Sequence, residues 1–272
     1  MRPLLSVLLI ASLTACANQP TRSGFLTRYD GMKPREMVRA KAEQKRGGPQ
    51  LARLHSVSIE PTKLAPGVQA DWLTDDARTA LLREFDAQLC FELSERYPIA
   101  ATGKGDARVR AAVTDLEATG RAGSAASVAA NTLIPGPIGV RAPGSTGGVS
   151  AEAEMLGRNG RQLAAISWSR SAMTIGSDNP SLTRIGDALQ FAEPFADAAA
   201  KAMTAPKARR REIEKPDPCA EYGPRFRPEG FLTKLATGLY VPEMSAAKDA
   251  DTKADAKTDT KTDAKAGAKT DK

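Results

Sequence analysis

The amino-acid sequence predicts an α+β protein, a two-layer sandwich in which two helices cover one face of a mostly antiparallel sheet. Segments in which apolar and polar residues alternate predict strands, and segments with apolar residues three and four apart predict amphipathic helices. In chain order these segments give β-α-β-β-β-α, with a long Gly/Ala-rich loop before the last two strands. Alternating strands have one apolar face, and the two helices can cover it.

The first strand and the first helix lie between residues 55 and 98. Val57 and Ile59 alternate with polar residues before Pro61, which predicts a short strand. Thr74 is a good N-cap, and the two aspartates that follow it suit the positive end of a helix dipole. The apolar face of this helix consists of Leu82, Phe85, Leu89 and Leu93. Pro98 marks its end.

Three further strands follow, and the last two form a hairpin. Residues 108–116 alternate, with Val109, Ala111 and Val113 on one face. Two more alternating segments, at 149–155 and 163–171, flank Asn159-Gly160, a pair that tolerates positive φ and favours a tight hairpin turn. Glu152 and Glu154 alternate with apolar residues in the first of these strands. We therefore expect both carboxylates on a solvated face.

A second helix is predicted after Asn179-Pro180, where a cap residue precedes proline. Its buried stripe consists of Leu182, Ile185, Leu189, Ala192, Ala196, Ala199 and Met203. Pro194 should kink or split it. Between the second and third strands, residues 120–148 are rich in Gly, Ala, Ser and Pro, which predicts a mobile loop, with contact to a membrane or a partner as the alternative.

The N-terminus has the layout of an export signal. Arg2 precedes an apolar segment from Leu4 to Leu13, about half the roughly 20 residues of a membrane span. Leu13-Thr14-Ala15-Cys16 resembles the lipobox of bacterial lipoproteins. The resemblance implies removal of residues 1–15, lipid on Cys16 and, because Ala17 follows, the inner leaflet of the outer membrane. The alternative is an ordinary signal cleaved near Ala15, with Cys16 an incidental thiol.

Cysteine usage and composition divide the rest of the chain. If Cys16 carries lipid, Cys90 and Cys219 remain as a pair in an oxidising compartment, and we expect a disulfide; two buried thiols are the alternative.

Residues 16–50 are polar and read as a lipid-anchored tether with one docking patch at 24–26. Residues 51–205 are the α+β domain, 206–245 a linker and C-terminal arm, and 246–272 a disordered tail of Lys, Asp, Ala and Thr.

The sequence offers little for catalysis or metal binding. His55 is the only histidine and has no cysteine or carboxylate cluster beside it, so we expect no metal site, no cofactor and no catalytic residues. Glu152 and Glu154 are spaced as residues on a solvated strand face are, and the sequence gives no sign of a glycosidase cleft. The net charge of +7 is scattered and few aromatic residues accompany it, which argues against nucleic acid as a partner.

Three segments resemble the bacterial lipoprotein family known as domain of unknown function 3313. They are Ser23-Gly24-Phe25-Leu26, the strand from His55 to Pro61, and the hairpin from Val149 to Ala165. The resemblance covers residues 23–205 and implies the architecture, while it leaves the chemistry open. We therefore expect a non-enzymatic outer-membrane lipoprotein that faces the periplasm and serves as a binding or scaffolding module for an unknown envelope protein. The alternatives are a structural link to peptidoglycan through the Lys-rich tail and, less favoured, a cell-wall hydrolase.

Overall fold

A seven-stranded sheet is the largest element of the computed structural model, which describes residues 20, 22–131, 139–237 and 240–247. Its strands are, in chain order, β1 (Lys33–Glu36), β2 (Lys41–Lys45), β3 (Val57–Ile59), β4 (Lys63–Leu64), β5 (Ala107–Glu117), β7 (Gly148–Gly157) and β8 (Gln162–Ser171). A two-stranded ribbon pairs β6 (Gly139–Val140) with β9 (Ile175–Gly176). The helices are α1 (Asp75–Ser94), α2 (Arg121–Asn131), α3 (Gly186–Ala202), α4 (Glu229–Thr237) and α5 (Pro242–Ser245).

The spatial order of the sheet is β1-β2-β8-β7-β5-β3, with β4 beside β5. Four neighbouring pairs are antiparallel, while β3 and β4 run parallel to β5 and reach it through α1. The β7–β8 hairpin turns at Asn159-Gly160 as predicted, with Gly160 at φ +75°. The expected fold class, a two-layer sandwich with a mostly antiparallel sheet, is confirmed.

The core lies between the sheet and the two long helices. Phe85 of α1 and Phe195 of α3 have ring centroids 5.5 Å apart, and Trp168 of β8 is 5.8 Å from Phe195. All three side chains are fully buried. Burial of such aromatic groups dominates core energetics, so this contact joins both helices to the same face of the sheet.

Both predicted helices form, with shifted ends. The Thr74 hydroxyl accepts the Ala77 N–H and caps α1, which ends at Ser94, ahead of Pro98. Its buried face includes Leu81, while Leu82 is only half-buried. The second helix, α3, begins at Gly186 and continues unbroken through Pro194, so the predicted split does not occur.

The predicted tether is wrong for residues 33–45, which form β1 and β2. Ala42 of β2 packs into the core and pairs with Trp168 of β8. The remaining side chains of β2 are polar, so the sequence shows no large apolar residue there. The folded body therefore begins well before residue 51. At its edge, β1 is fully exposed and carries Pro34 and charged residues, which discourage pairing with another chain.

The predicted mobile loop at 120–148 is also wrong where it forms α2 and β6; residues 132–138 lie outside the described residues. Alanine has the highest helix propensity, and alanines recur through α2. The side chain of Asn131 accepts the Val140 N–H at 2.9 Å and donates to the Val140 carbonyl at 3.1 Å. The small-residue composition of this segment suggested a loop, although the same small residues let α2 pack closely.

A buried ion pair fixes the segment after α2 to the start of α3. The Arg141 guanidinium binds Asp187 at 2.6 and 2.9 Å, and both side chains are almost fully buried. Asp187 also accepts the Gly147 N–H and the Thr119 hydroxyl. Burial raises the pKa of Asp187, while Arg141 opposes the rise. The pair therefore anchors this segment to α3.

The chain after α3 returns to α1 at the Cys90–Cys219 disulfide and again at Glu84, which accepts the Ala247 N–H. Ala246 and Ala247 are both buried, so the tail predicted to start at 246 begins no earlier than 248. Residues 248–272 lie outside the described residues.

Glu92 of α1 supplies a test of the electrostatics between the helices. Burial raises the pKa of Glu92, Asp197 and Glu95 raise it further, and Arg210 lowers it. A raised pKa means that the folded state holds this proton more tightly, so stability is lost as pH rises through it. We expect Glu92→Gln to be more stable than the wild type at about pH 7, by less than about 1 kcal/mol because solvent screens a half-buried carboxylate.

Urea unfolding across a pH series checks this expectation for Glu92. The difference from the wild type should vanish below about pH 3, where glutamate is protonated in both states. Glu212→Gln, at an exposed position outside the helices, is the control. A difference for Glu92→Gln that stays constant with pH would contradict the assignment.

Candidate functional site

The carboxylate pair of β7 is buried, contrary to the prediction of a solvated face. Glu152 and Glu154 are both 0% exposed. They do point away from the helices, as alternation requires, but residues 22–30 lie across that side of the sheet and close it off. We call these residues the N-terminal segment. The prediction failed because strand alternation identifies the two faces and cannot say whether a distant segment covers the polar one.

Glu154 is held by three kinds of donor. Two guanidinium nitrogens of Arg110, on the neighbouring strand, approach it at 2.6 and 2.7 Å. The N–H and hydroxyl of Thr27 donate at 2.9 and 2.8 Å, and the side-chain amide of Gln162 donates at 2.7 Å. Arg110 also bonds the Phe25 carbonyl at 2.9 Å and stacks over its ring at 4.6 Å. Glu154 and Arg110 thus join the N-terminal segment to the sheet.

Glu152 binds the same segment through hydroxyl groups. The Ser23 hydroxyl donates to it at 2.6 Å and the Tyr29 hydroxyl at 2.8 Å. Burial, and then the hydrogen bond to Glu152, raise the pKa of Tyr29. Leu26, between these contacts, is 4% exposed. The docking patch predicted at 24–26 is therefore in place, and buried carboxylates hold it there.

A cleft of about 500 Å³ opens beside this segment, at the end of the sheet where the hairpin turns. Four cationic residues line it: Arg28, Lys45, Arg46 and Arg161. Gln162 connects the cleft to the buried pair, because its amide donates to Glu154 and to the Arg28 carbonyl at 2.8 Å while its oxygen accepts the Lys45 ammonium at 3.3 Å. The carboxylates thus support one wall of a cationic cleft.

The remaining predicted site residues lie elsewhere. Cys16 is outside the described residues. His55 is exposed, and its backbone N–H donates to Asp106 at 2.9 Å. Cys90 and Cys219 form a disulfide, with Cα atoms 5.9 Å apart, on the outer side of α1.

Around the disulfide, two arginines bind the C-terminal arm to α1. Arg225 bonds Asp217, the Phe91 carbonyl and the Ser94 hydroxyl. Arg227 pairs with Glu84 at 2.8 Å.

Glu84 lies on the buried side of this arm. It also accepts the Ala247 N–H at 2.7 Å. Burial raises the pKa of Glu84, and Arg227 partly offsets the rise. These contacts fasten the arm to α1.

The described residues contain neither a metal-binding cluster nor a helix that could span a membrane. No group of three or more His, Cys, Asp or Glu side chains in the described ranges is arranged to hold a metal ion. No helix in this part of the chain combines the length and the apolar character of a membrane span.

The cleft residues were missed at the sequence level because they come from three separate segments. Arg28, Lys45-Arg46 and Arg161 each look like ordinary surface charges in their own context. One signal was present: Arg110 alternates onto the polar face of its strand, directly opposite Glu154. A cross-strand pair of that kind indicates that the face is more than solvated surface.

Comparison with known proteins identifies a family and a distant structural likeness. No curated protein sequence matches the chain. Two solved structures described as PelC dodecamers from Paraburkholderia phytofirmans are similar, one of them a single-substitution variant. The variant is 11% identical with a TM-score of 0.34 and the other 10% identical with a TM-score of 0.35; the matches cover 62% and 61% of this chain and 99% of each PelC chain. The model of a protein family of unknown function, DUF3313, matches residues 21–199, and the chain belongs to that family.

Proposed function

We propose that this protein is a non-enzymatic lipoprotein of the outer membrane, facing the periplasm, and that it works as a binding or scaffolding module in the cell envelope. The observation that carries the proposal is the docking of the N-terminal segment. Ser23, which bonds Glu152, is seven residues after Cys16. An extended chain of that length spans at most about 25 Å.

Lipid on Cys16 would therefore hold the folded body close to the bilayer. The polar residues after Cys16 first suggested a long tether, which would let the body range far from its anchor. A short connection instead favours a module whose surfaces meet partners at the membrane. A lipobox-like Leu13-Thr14-Ala15-Cys16 upstream of a segment that docks on the sheet supports this arrangement.

The non-enzymatic part of the proposal is supported by the groups that the Glu152 and Glu154 carboxylates bind. A retaining or inverting glycosidase needs two carboxyl groups that face a substrate cleft. Glu152 and Glu154 instead face residues of their own chain and are 0% exposed. Their donors occupy the positions that a substrate would need.

Labelling with radioactive palmitate tests the anchor. Cells expressing the native protein should yield a labelled protein in the outer-membrane fraction, and Cys16→Ser should be unlabelled and absent from that fraction in mature form. An unlabelled native protein that fractionates like Cys16→Ser, free in the soluble extract, would contradict the proposal. Crosslinking in intact membranes, followed by mass spectrometry, would identify the envelope partner.

A further inference from the structure

We propose that the cationic cleft between the N-terminal segment and the hairpin turn binds a phosphate ester. The cleft measures about 500 Å³ and presents three arginines and one lysine. No carboxylate lies among its lining residues, and none of its four cations forms an ion pair within the described residues. Like charges gathered without a counter-ion repel one another, and a bound anion relieves that repulsion.

Three other arginines of the described chain do have carboxylate partners. Arg110 pairs with Glu154 at 2.6 Å, Arg22 with Glu43 at 3.3 Å and Arg158 with Asp106 at 2.8 Å. These three arginines have carboxylate partners, and the four cations that line the cleft have none within the described residues. The feature that sets the cleft apart is that four cationic residues line one cavity with no carboxylate among its lining residues.

The cleft is also held in a defined shape. Arg46 donates to the Lys201 carbonyl at 2.6 Å and Lys45 to Gln162 at 3.3 Å, so both cations have fixed positions. Gly47 allows this closeness, because a Cβ there would lie 2.3 Å from the Leu163 carbonyl oxygen. Arg28 and Arg161 also line the cleft and are exposed, so their guanidinium groups are open to a ligand.

Phosphate is the anion that this set of groups fits best. A guanidinium offers a planar fork of donors that matches two oxygens of a phosphate group, and an ammonium adds a compact charge. The source we favour is the headgroup of an anionic phospholipid, and this choice rests on the proposed function. Arg28 is twelve residues after Cys16, so the cleft lies within about 40 Å of a lipid anchor along an extended chain.

Isothermal titration of the native full-length protein, in non-ionic detergent at low salt, tests the site. The probes are inorganic phosphate, glycerol 3-phosphate and a short-chain phosphatidylglycerol below its micelle concentration. We expect the phosphate esters to bind, and the double variant Arg28→Gln/Arg161→Gln to weaken binding by about tenfold or more, since hydrogen bonds to charged groups are among the strong ones. The weakening should shrink as salt is added.

The matched control is Arg35→Gln/Arg121→Gln, which removes the same charge from two exposed arginines away from the cleft. It should bind within about twofold of the native protein; circular dichroism checks the fold of both variants. Tighter binding of phosphatidylglycerol than of inorganic phosphate supports the membrane source, and equal binding supports a site for free phosphate. No binding of any probe, or equal binding by the two double variants, would overturn the proposal. The titration does not depend on acylation of Cys16, so its failure is separate from failure of the proposed function.

Discussion

Replacing Glu154 with alanine should lower the free energy of unfolding by about 3–5 kcal/mol, the usual cost of removing one partner from a buried charge pair. Arg110 would lose its carboxylate, the N–H of Thr27 its acceptor, and the amide of Gln162 one of its two acceptors. The N-terminal segment should then leave the sheet. Urea unfolding measures the first effect, and the rate of trypsin cleavage after Arg28 in the native state measures the second.

Glu60→Ala is the matched control, because Glu60 also pairs with an arginine of β5. That pair, with Arg108 at 3.5 Å, is largely exposed and should contribute less than about 1 kcal/mol. If Glu154→Ala costs no more than Glu60→Ala, and trypsin cleaves after Arg28 at the native rate, then the buried pair does not hold the segment.

Replacing Cys90 and Cys219 together with serine should lower the free energy of unfolding by about 4–5 kcal/mol in the chain-entropy model. The bond closes a loop across a sequence separation of 129, so it strongly restricts the unfolded chain. The arm should also become more accessible to protease, although Arg225 and Arg227 continue to bind α1. Guanidinium unfolding under non-reducing conditions measures the loss.

Reduction of the wild type provides the control for the serine substitutions. Reduced wild type should unfold at the same denaturant concentration as the double variant, and the non-reduced wild type well above both. Titration of the unfolded, non-reduced protein with a thiol reagent should find no reactive Cys90 or Cys219. Two free thiols there, together with equal stability of all three samples, would mean that the bond is absent.

The elements built from local patterns were predictable from the sequence. Thr74 caps α1, Asn159-Gly160 turns the hairpin, and the alternation of Val109, Ala111 and Val113 identifies the core face of β5. Each depends on residues close together in the chain, which is where propensity and periodicity act. The fold class followed because these elements admit one simple arrangement of sheet and helices.

The elements built from tertiary contact were not predictable in this way. β2 contributes one alanine to the core, and α2 is made of small residues that composition alone assigns to a loop. Both become ordered because a partner element is present: β8 pairs with β2, and Asn131 of α2 binds β6. Local reasoning underestimates segments whose stability comes from their neighbours.

The candidate site shows the same division. Alternation placed Glu152 and Glu154 on the polar side of β7 correctly, and it could not reveal that residues 22–30 cover them. The cleft was harder still to predict. Arg28 and Arg161 line the same cleft only once the N-terminal segment has docked beside the hairpin turn. Charges that are far apart in sequence have no common pattern from which such a site can be inferred.

Hydrogen exchange at the Thr27 amide is the most direct test of whether the stretch that follows Cys16 is part of the folded body. This N–H donates to the buried carboxylate of Glu154 at 2.9 Å. In the native protein it should exchange about two orders of magnitude more slowly than in a free peptide, because exchange requires the segment to open. Exchange at the free-peptide rate would show that residues 22–30 do not dock. The proposed short connection to the membrane and the proposed phosphate site in the cleft would then both be wrong.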